Sequence, residues 1–396
     1  MSTGDGDPIY LDHNATTPVL PEVIEAMLPF LRQHFGNPSS GHVYGQTAQA
    51  AVTRARAQVA ALLSCDADEI VFTSGGTEAN NLAIRGVCDA RADRRHVVTT
   101  VIEHPATERP CAWLQRHGWR VTRVGVDSDG RARMEEVRTA LDACTALVTV
   151  MHSNNETGVL QPIAEVADAA RDCGTAVHTD AAQSVGKVPV NVRELGVDLL
   201  SVAGHKLYAP KGIGALYVKR GTPLVPFVLG AGHERGLRPG TENVACIVGL
   251  GLACDIAARD MESAATRIRR LRDDLWERLS AAVPQIQLNG HRALRLPNTL
   301  SLRFPGVSGD AVLARTPQVA ASTGSACHAG HEQASAVILA MGVDADAALG
   351  TVRLTLGRGT TATEVERTCN ALAAAWRAAS LRPDSVPAPP GDGDSG

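Results

Sequence analysis

The chain has 396 residues, a mass of 41.5 kDa, a net charge of −4, and 44% hydrophobic against 20% charged residues; it is long enough to bury a large core as one big and one small domain, and neither its charge nor any basic tract or zinc-finger spacing supports a nucleic-acid surface. Its nine cysteines are odd in number, widely spaced and free of CxxC, which argues against a disulfide framework and against a structural zinc site. The polar start, Ser2 to Pro8, has neither the basic flank nor the apolar core of a signal peptide, and no apolar run reaches membrane-spanning length, so the expectation is a cytoplasmic, enzyme-sized protein with no membrane partner.

Ile9 to Pro18 reads as a short strand running into a polar turn, and Pro21 to Phe35 has helical apolar spacing with Pro21 in the first turn. After the loop Asn37 to His42, an alanine- and arginine-rich helix is expected over Gln46 to Leu63. Glu69 to Ile84 sets a β-branched and aromatic strand before Gly75-Gly76 and a helix opened by Thr77. Such a turn aims free backbone N–H groups and the positive end of a helix dipole at its occupant, which suits a phosphate. The spacing is neither GxGxxG nor Walker A, and a glycine turn that merely starts a helix fits equally well.

Short apolar strands at His96 to Thr100, Val121 to Val126, Thr145 to Met151 and Thr175 to His178 alternate with helical stretches at Thr107 to His117, Met134 to Leu141 and Ile163 to Cys173. That rhythm predicts an α/β fold, a mostly parallel sheet with helices on both faces. Polar residues gather where the strands finish: His104, Asn155, Asp180 and Gln183. The next apolar run, Val197 to Val202, leads through Ala203 into Gly204-His205-Lys206 and a Pro/Gly turn. Only four lysines occur, at positions 187, 206, 211 and 219, so a lysine beside a histidine at a strand end stands out. An amine in a partly dry pocket can form a Schiff base with an aldehyde; a surface lysine is the plainer reading of that stretch taken alone. Successive strand ends line one edge of an open sheet, and four with this chemistry favour a site.

Gly232 to Asn243 is too polar and glycine-rich for core, and a long helical region from Val244 to Leu279 is expected to carry the chain out of the large domain. Alternation in Asn298 to Phe304 starts a smaller α+β domain. Val319 to Gly330 places Cys327 among small residues, Arg353 to Arg358 reads as a strand presenting an arginine, and Thr363 to Ala379 as a closing helix. The Pro-, Gly-, Asp- and Ser-rich tail beyond Leu381 has the composition of disorder.

A lysine for a Schiff base, a phosphate cradle, an acid and a free cysteine together describe a pyridoxal phosphate enzyme acting on a sulfur-bearing amino acid. Asp180 is the candidate for the pyridine nitrogen, where a carboxylate keeps the ring protonated and able to absorb an electron pair.

On Tyr10 to Thr17, Thr73 to Glu78, Glu103-His104, Asn154 to Gly158, His178 to Gln183, Gly204 to Lys206, Arg238 to Asn243, Gly324 to Cys327 and Arg353, the chain resembles the cysteine desulfurases, class-V aminotransferase-like enzymes of pyridoxal phosphate fold type I. The resemblance spans roughly residues 9 to 375 and implies a large domain with a mostly parallel seven-stranded sheet flanked by helices plus a small α+β domain. The division it implies is an N-terminal segment, 1–15, associated with the small domain; a cofactor-binding domain, 16–260; a small domain with the cysteine loop, 261–380; and a disordered tail, 381–396. By the same resemblance Lys206 holds the cofactor covalently and moves protons at the substrate carbons, His104 stacks on the ring and assists proton transfer, Asp180 pairs with the pyridine nitrogen and Gln183 with the phenolic oxygen. Gly75, Gly76, Thr77, Ala203 and His205 surround the phosphate, with Thr241 reaching in from the second subunit of a homodimer, and Asn155 and Arg353 hold the substrate carboxylate. Cys327 is the nucleophile that takes sulfur from L-cysteine as a persulfide, leaving L-alanine, and passes it to an acceptor protein.

Two departures from the family pattern are visible. Ala203 stands where a serine is common, so one phosphate hydroxyl is missing, and Ser201 or backbone groups are the remaining sources of a donor. The segment His328 to Ala334 differs from the housekeeping form; it is similar to selenocysteine lyases and to desulfurases that supply DNA phosphorothioate modification, so that modification or iron–sulfur assembly is the implied destination of the sulfur. Selenocysteine lyase is therefore the alternative on the same fold. An aminotransferase leaves Cys327 without a task, and a non-enzymatic sulfur-pathway scaffold, binding partners through the small domain and tail, predicts no colour change with the cofactor.

Overall fold

In the computed structural model of the chain, residues 7–323 and 333–381 are described. The chain enters through β1 (Ile9–Tyr10), followed by α1 (Pro21–Arg32) and α2 (Val43–Leu63). Helix α1 opens on Pro21, whose fixed φ suits a first turn. Helix α2 opens beside His42, whose ring accepts from the Gly45 N–H at 3.4 Å. That imidazole cap starts α2 ahead of the Gln46 expected from the sequence, because histidine is not among the side chains that ordinarily signal a helix start.

A seven-stranded sheet comes next, built from β2 (Ile70–Thr73), β3 (His96–Thr100), β4 (Arg120–Val124), β5 (Thr145–Thr149), β6 (Ala176–Asp180), β7 (Leu199–Ala203) and β8 (Gly214–Val218). Its spatial order is β2-β8-β7-β6-β5-β3-β4. Every pairing is parallel except those of β8, which runs against both β2 and β7. Residues 204–213 join β7 to β8, too short a link for a parallel crossover, so the chain doubles back. Helices α3 (Gly76–Ala90), α4 (Pro105–Arg116), α5 (Met134–Ala140), α6 (Ile163–Arg171) and α7 (Val192–Leu195) make the other connections. The strands are buried on both faces, and their alternation sorts the side chains. Ile70, Phe72, Val148, Leu200 and Val202 enter one core, Val71, Leu147, Leu199 and Leu216 the other.

The long α8 (Val244–Ala282) carries the chain onward. Its first half packs with α1 and α2 through Ile247, Leu250 and Cys254; its second half contributes Ile268, Leu271, Leu275 and Leu279 to a separate core. That core lies on a three-stranded antiparallel sheet in the order β12-β10-β9, from β9 (Gln287–Leu288), β10 (Thr299–Arg303) and a later β12. Between them come α9 (Gly309–Ala314), β11 (Val319–Ala320), α10 (Ala336–Ala340) and α11 (Ala345–Leu349). After β12 (Thr351–Thr355), α12 (Ala362–Ser380) closes the fold on a Thr361/Glu364 capping box. Strand β1 pairs in parallel with β11, and Asp12 bridges to Thr355, so the first residues lie against this second unit while Asn14 to Thr17 lead back to the large sheet.

Among the described residues no helix is long and apolar enough to cross a membrane, and no group of three His, Cys, Asp or Glu side chains could hold a metal ion.

Candidate functional site

The carboxyl ends of β2, β3, β5, β6 and β7 surround a cavity of about 410 Å³, within the range of sites that hold a small organic molecule. At the end of β2 the chain turns through Gly75, at φ +149°, a backbone conformation that favours glycine. A Cβ on Gly214, where β8 starts, would lie 2.7 Å from the Gly75 Cα, so the close approach of β8 to this turn requires glycine at 214. Glycine as N-cap also leaves α3 without a side-chain cap. The opening N–H groups at Gly76 and Thr77 therefore remain available to an anion, with the helix dipole behind them. The sequence placed the helix start at Thr77; the glycine takes the cap.

Strand β6 runs on to Asp180, two residues past the expected His178, so the acid is the last residue of its strand. Its Oδ1 accepts from the Ala182 N–H at 2.9 Å and its Oδ2 from Asn80 Nδ2 at 2.7 Å. Both oxygens are thereby aimed, and lone pairs remain for a further donor from the cavity. At the end of β3, His104 caps α4: Nδ1 accepts from the Ala106 N–H at 3.1 Å, which starts the helix at Pro105 rather than Thr107. With Nδ1 engaged as an acceptor, the neutral ring carries its proton on Nε2. Burial lowers the His104 pKa, Lys206 adds to that, and Asp180 opposes it.

Lys206 follows β7 on a single 3₁₀ turn. Its Nζ donates to the carbonyl oxygens of Asn14 and, at 2.8 Å, of Ala15. Burial is the main cause that brings its pKa down to about 8, with the nearby Arg353 guanidinium adding to it and Asp12 and Asp180 opposing. An amine so placed is substantially unprotonated in mildly alkaline solution, the form that attacks an aldehyde. His205, beside it, meets Thr16 Oγ1 at 3.2 Å. Burial, then Lys206, Lys211, Lys187 and His104, bring His205 down to about 4, so the ring is neutral near pH 7 and can act as a hydrogen-bonding group.

Gln183 and Asn155 also line the cavity, as does Arg353, which reaches it from β12. Arg353 Nη2 pairs with Asp12 Oδ1 at 2.7 Å and Nη1 donates to the Asn155 carbonyl at 3.0 Å, whereas Nε is buried without a partner. Two of the five N–H donors are used, which leaves the rest for an incoming carboxylate. Asn155 contributes its backbone here: its carbonyl receives both Arg353 and Asn14 Nδ2.

Gly76, Thr77, His104, Asn155, Asp180, Gln183, Ala203, His205, Lys206 and Arg353 are thus brought together, with Gly75 as the cap just behind them. Thr241 is not on this chain's cavity; it is exposed. Two anchors hold the stretch before it. Glu234 is buried and takes both Arg56 guanidinium nitrogens and the Phe72 N–H, and Arg238 Nε donates to Glu78 at 2.8 Å. Cys327 lies outside the described residues. Ser201 does not make good the hydroxyl missing at Ala203: it is fully buried and spends its Oγ on His178 Nε2 at 2.9 Å, inside the sheet. A Cβ on Gly76 would come 3.2 Å from the Ala203 methyl, so this corner of the cavity is walled by that methyl and by the α3 N-terminus. At the phosphate site that the family resemblance implies, Ala203→Ser is expected to tighten pyridoxal phosphate binding roughly fivefold, the worth of about 1 kcal/mol for one hydrogen bond; equilibrium titration of the cofactor-free protein reads it, and unchanged affinity would show the methyl to be neutral.

Three residues had been given no role by the sequence reading. Asn14 is the hub: its carbonyl accepts from Lys206 and Gln183, and its Nδ2 donates to the Asn155 carbonyl and to Thr299. Asn80 sits on the buried face of α3 among Ala79, Leu82, Ala83 and Val87, and an amide on such a stripe was a usable signal. Glu103 is held by Thr100 and by the Met151 N–H, with its second oxygen unpartnered. Burial first, with Asp180 adding and those two donors opposing, pushes Glu103 up to about 8, a neutral acid at pH 7.

Residues 9–368 match the family described as aminotransferase class-V. A cysteine desulfurase of Nostoc sp. is 45% identical over 361 residues, 91% of this chain and 90% of the Nostoc protein. A solved structure of a NifS-like protein superposes with a TM-score of 0.87 at 35% identity, covering 93% of this chain and 98% of that one. The structure of SspA in complex with cysteine superposes with a TM-score of 0.79 at 34% identity, covering 89% of this chain and 100% of the other.

Proposed function

Because the chain belongs to the aminotransferase class-V family, and within it to the cysteine desulfurases, we propose that it removes sulfur from L-cysteine, releases L-alanine and passes the sulfur on through Cys327. It is a pyridoxal 5'-phosphate enzyme. The observation that carries this reading is the convergence, in one cavity, of an amine with a depressed pKa, an oriented carboxylate and a free helix N-terminus. The three match the aldehyde, the pyridine nitrogen and the phosphate of that cofactor. When bound, the cofactor supplies an electron sink for the substrate carbons.

The chain's own residues do the rest. Gly76, Thr77 and His205 bind the phosphate, and Ala203 bounds it. Asp180 accepts the pyridine N–H, held in place by Asn80 and the Ala182 N–H. Gln183 faces the phenolic oxygen, and His104 covers the ring and can hold a proton at Nε2. Lys206 Nζ would hold the cofactor's aldehyde carbon and, as a free amine, would move protons between substrate carbons. Arg353, with Asn155, orients the substrate carboxylate. Cys327 attacks the substrate sulfur as a thiolate; the carbon–sulfur bond breaks with its electron pair left on carbon, a proton replaces sulfur there, and the persulfide stays on the protein for an acceptor protein. The division into segments 1–15, 16–260 and 261–380 follows the same reading, with the long α8 linking the two larger units.

The reading also makes the protein a homodimer, with each Thr241 serving the other subunit's phosphate. Supporting it are the exposed apolar residues Leu31, Phe35, Val43 and Tyr44 at the α1–α2 corner, and Val228 and Leu229 close to the anchored stretch that ends at Thr241.

Asp180→Asn keeps the shape and removes the charge that stabilises a protonated ring, and is expected to lower turnover about 100-fold, the cost of deleting one aimed electrostatic contact, while the cofactor stays bound; rates within a few-fold of the parent would show that the ring nitrogen does not depend on Asp180. The test of the reading as a whole is turnover of L-cysteine against L-selenocysteine with alanine measured in both. Alanine from cysteine is the expected result; alanine from selenocysteine alone would make the protein a selenocysteine lyase.

A further inference from the structure

Lys187 is one of the chain's four lysines and stands half-buried beside the site, where nothing above gives it a role. Lys211 and Lys219 are exposed and Lys206 lines the cavity. Lys187 lies behind the cavity wall and borders a second, smaller cavity of about 40 Å³ with His13, Tyr208 and Arg358. Its Nζ is 3.0 Å from Gln183 Oε1 and 3.4 Å from Asn14 Oδ1, and among the described residues no carboxylate forms an ion pair with it.

We propose that Lys187 is a positioning residue for the phenolic edge of the cofactor: from behind the wall it fixes which amide atom of Gln183 faces the cavity and braces Asn14, whose carbonyl holds Lys206. The inference rests on the pyridoxal phosphate reading given above. An amine has N–H groups for both oxygens, so the Gln183 atom turned to Lys187 is Oε1. Nε2 is thereby turned the other way, where one N–H goes to the Asn14 carbonyl at 2.9 Å and the second is left for the cavity. The Asn14 carbonyl, which can only accept, fixes the same orientation, so Asn14 and Lys187 hold the amide from its two ends, and only the N–H end can donate to a phenolic oxygen. Asn14 is locked from the same side: its Oδ1 receives Lys187 and, at 3.1 Å, Asn298 Nδ2, while its Nδ2 goes to the Asn155 carbonyl and Thr299. One lysine therefore braces both groups that meet the cofactor's reactive edge. Burial, then Lys206 and Arg353, bring its pKa to about 7, so much of the population carries a cation close to that edge.

The consequence is spectroscopic. A donor and a cation beside the phenolic oxygen lower its affinity for a proton, and removing them raises the pH at which the bound cofactor's visible band titrates. The experiment compares the parent protein, Lys187→Met, Gln183→Met and the double variant, each loaded with pyridoxal phosphate and titrated by absorbance. Lys187→Met is expected to move the midpoint upward by about one unit, the scale of a neighbouring charge. The double variant should move by less than the sum of the two single shifts, because part of the Lys187 effect acts through that amide. An unmoved midpoint in Lys187→Met, or full additivity in the double variant, would overturn the proposal. Should Lys187→Met fail to fold, Lys187→Gln fills similar space and returns an N–H to Oε1; a smaller upward shift supports the proposal and none contradicts it. A parent protein that takes up no cofactor would instead defeat the pyridoxal phosphate reading itself, a different result from either.

Discussion

Lys206→Ala is expected to lower cysteine desulfuration by about 10³-fold or more, the contribution of a positioned proton-transfer group, and to abolish covalent retention of the cofactor. The amine does two jobs from one location, since its carbonyl partners at Asn14 and Ala15 fix Nζ at the cavity beside Asp180 and Arg353. Alanine removes both jobs and leaves the phosphate turn and the Asp180 contact intact, so non-covalent binding should persist at reduced affinity. The pH dependence follows from the depressed pKa. Attack on the aldehyde needs the neutral amine, and the neutral form becomes the majority above about 8 rather than above the ordinary lysine value of 10.5. The rate at which the cofactor-free protein acquires covalently held pyridoxal phosphate, trapped by reduction, should therefore rise with pH through about 8 and level off. A midpoint near the ordinary value would show that the site does not depress this amine.

Cys327→Ala is expected to abolish protein-bound sulfur while the cofactor's visible band remains as in the parent. The separation matters because the residues that meet the cofactor in this reading, from Gly76 to Arg353, are distinct from the group that receives sulfur. Loss of colour together with loss of sulfur transfer would mean that the substitution damaged the fold. Retained colour with sulfur transfer at the parent rate would remove Cys327 from the mechanism. The buried thiols are poorly suited to replace it. Burial raises Cys88, Cys111 and Cys254 well above the ordinary thiol value, to about 12 for the latter two, and a thiol that keeps its proton is a weak nucleophile.

The sheet and its edge were legible because buried parallel strands announce themselves as β-branched runs, and because Asp180, His205 and Lys206 stand directly at the ends of such runs. Strand direction was less legible. The antiparallel course of β8 follows from the short link after Lys206, a signal present in the sequence but masked by the alternation of strands and helices elsewhere. Helix starts at His42 and His104 shifted because imidazoles cap them. The least legible part was the second layer. Asn14, Asn80, Glu103 and Lys187 act across long sequence separations: Asn14 meets Gln183 and Lys206, and Asn80 meets Asp180, only once the sheet is assembled. No local spacing encodes those meetings. The fate of Ala203 was open for the same reason, since the direction of the Ser201 hydroxyl is set by His178 on the neighbouring strand.

The central claim is that sulfur leaves L-cysteine onto this chain with alanine as the carbon product. Its most direct test is a single experiment on the cofactor-loaded protein given one equivalent of L-cysteine, with alanine quantified and the sulfur-bearing peptide identified by mass spectrometry. Equal amounts of alanine and of one added sulfur on Cys327 are the result expected. A keto acid with the cofactor left in its amine form, or alanine with no sulfur on the protein, would contradict it.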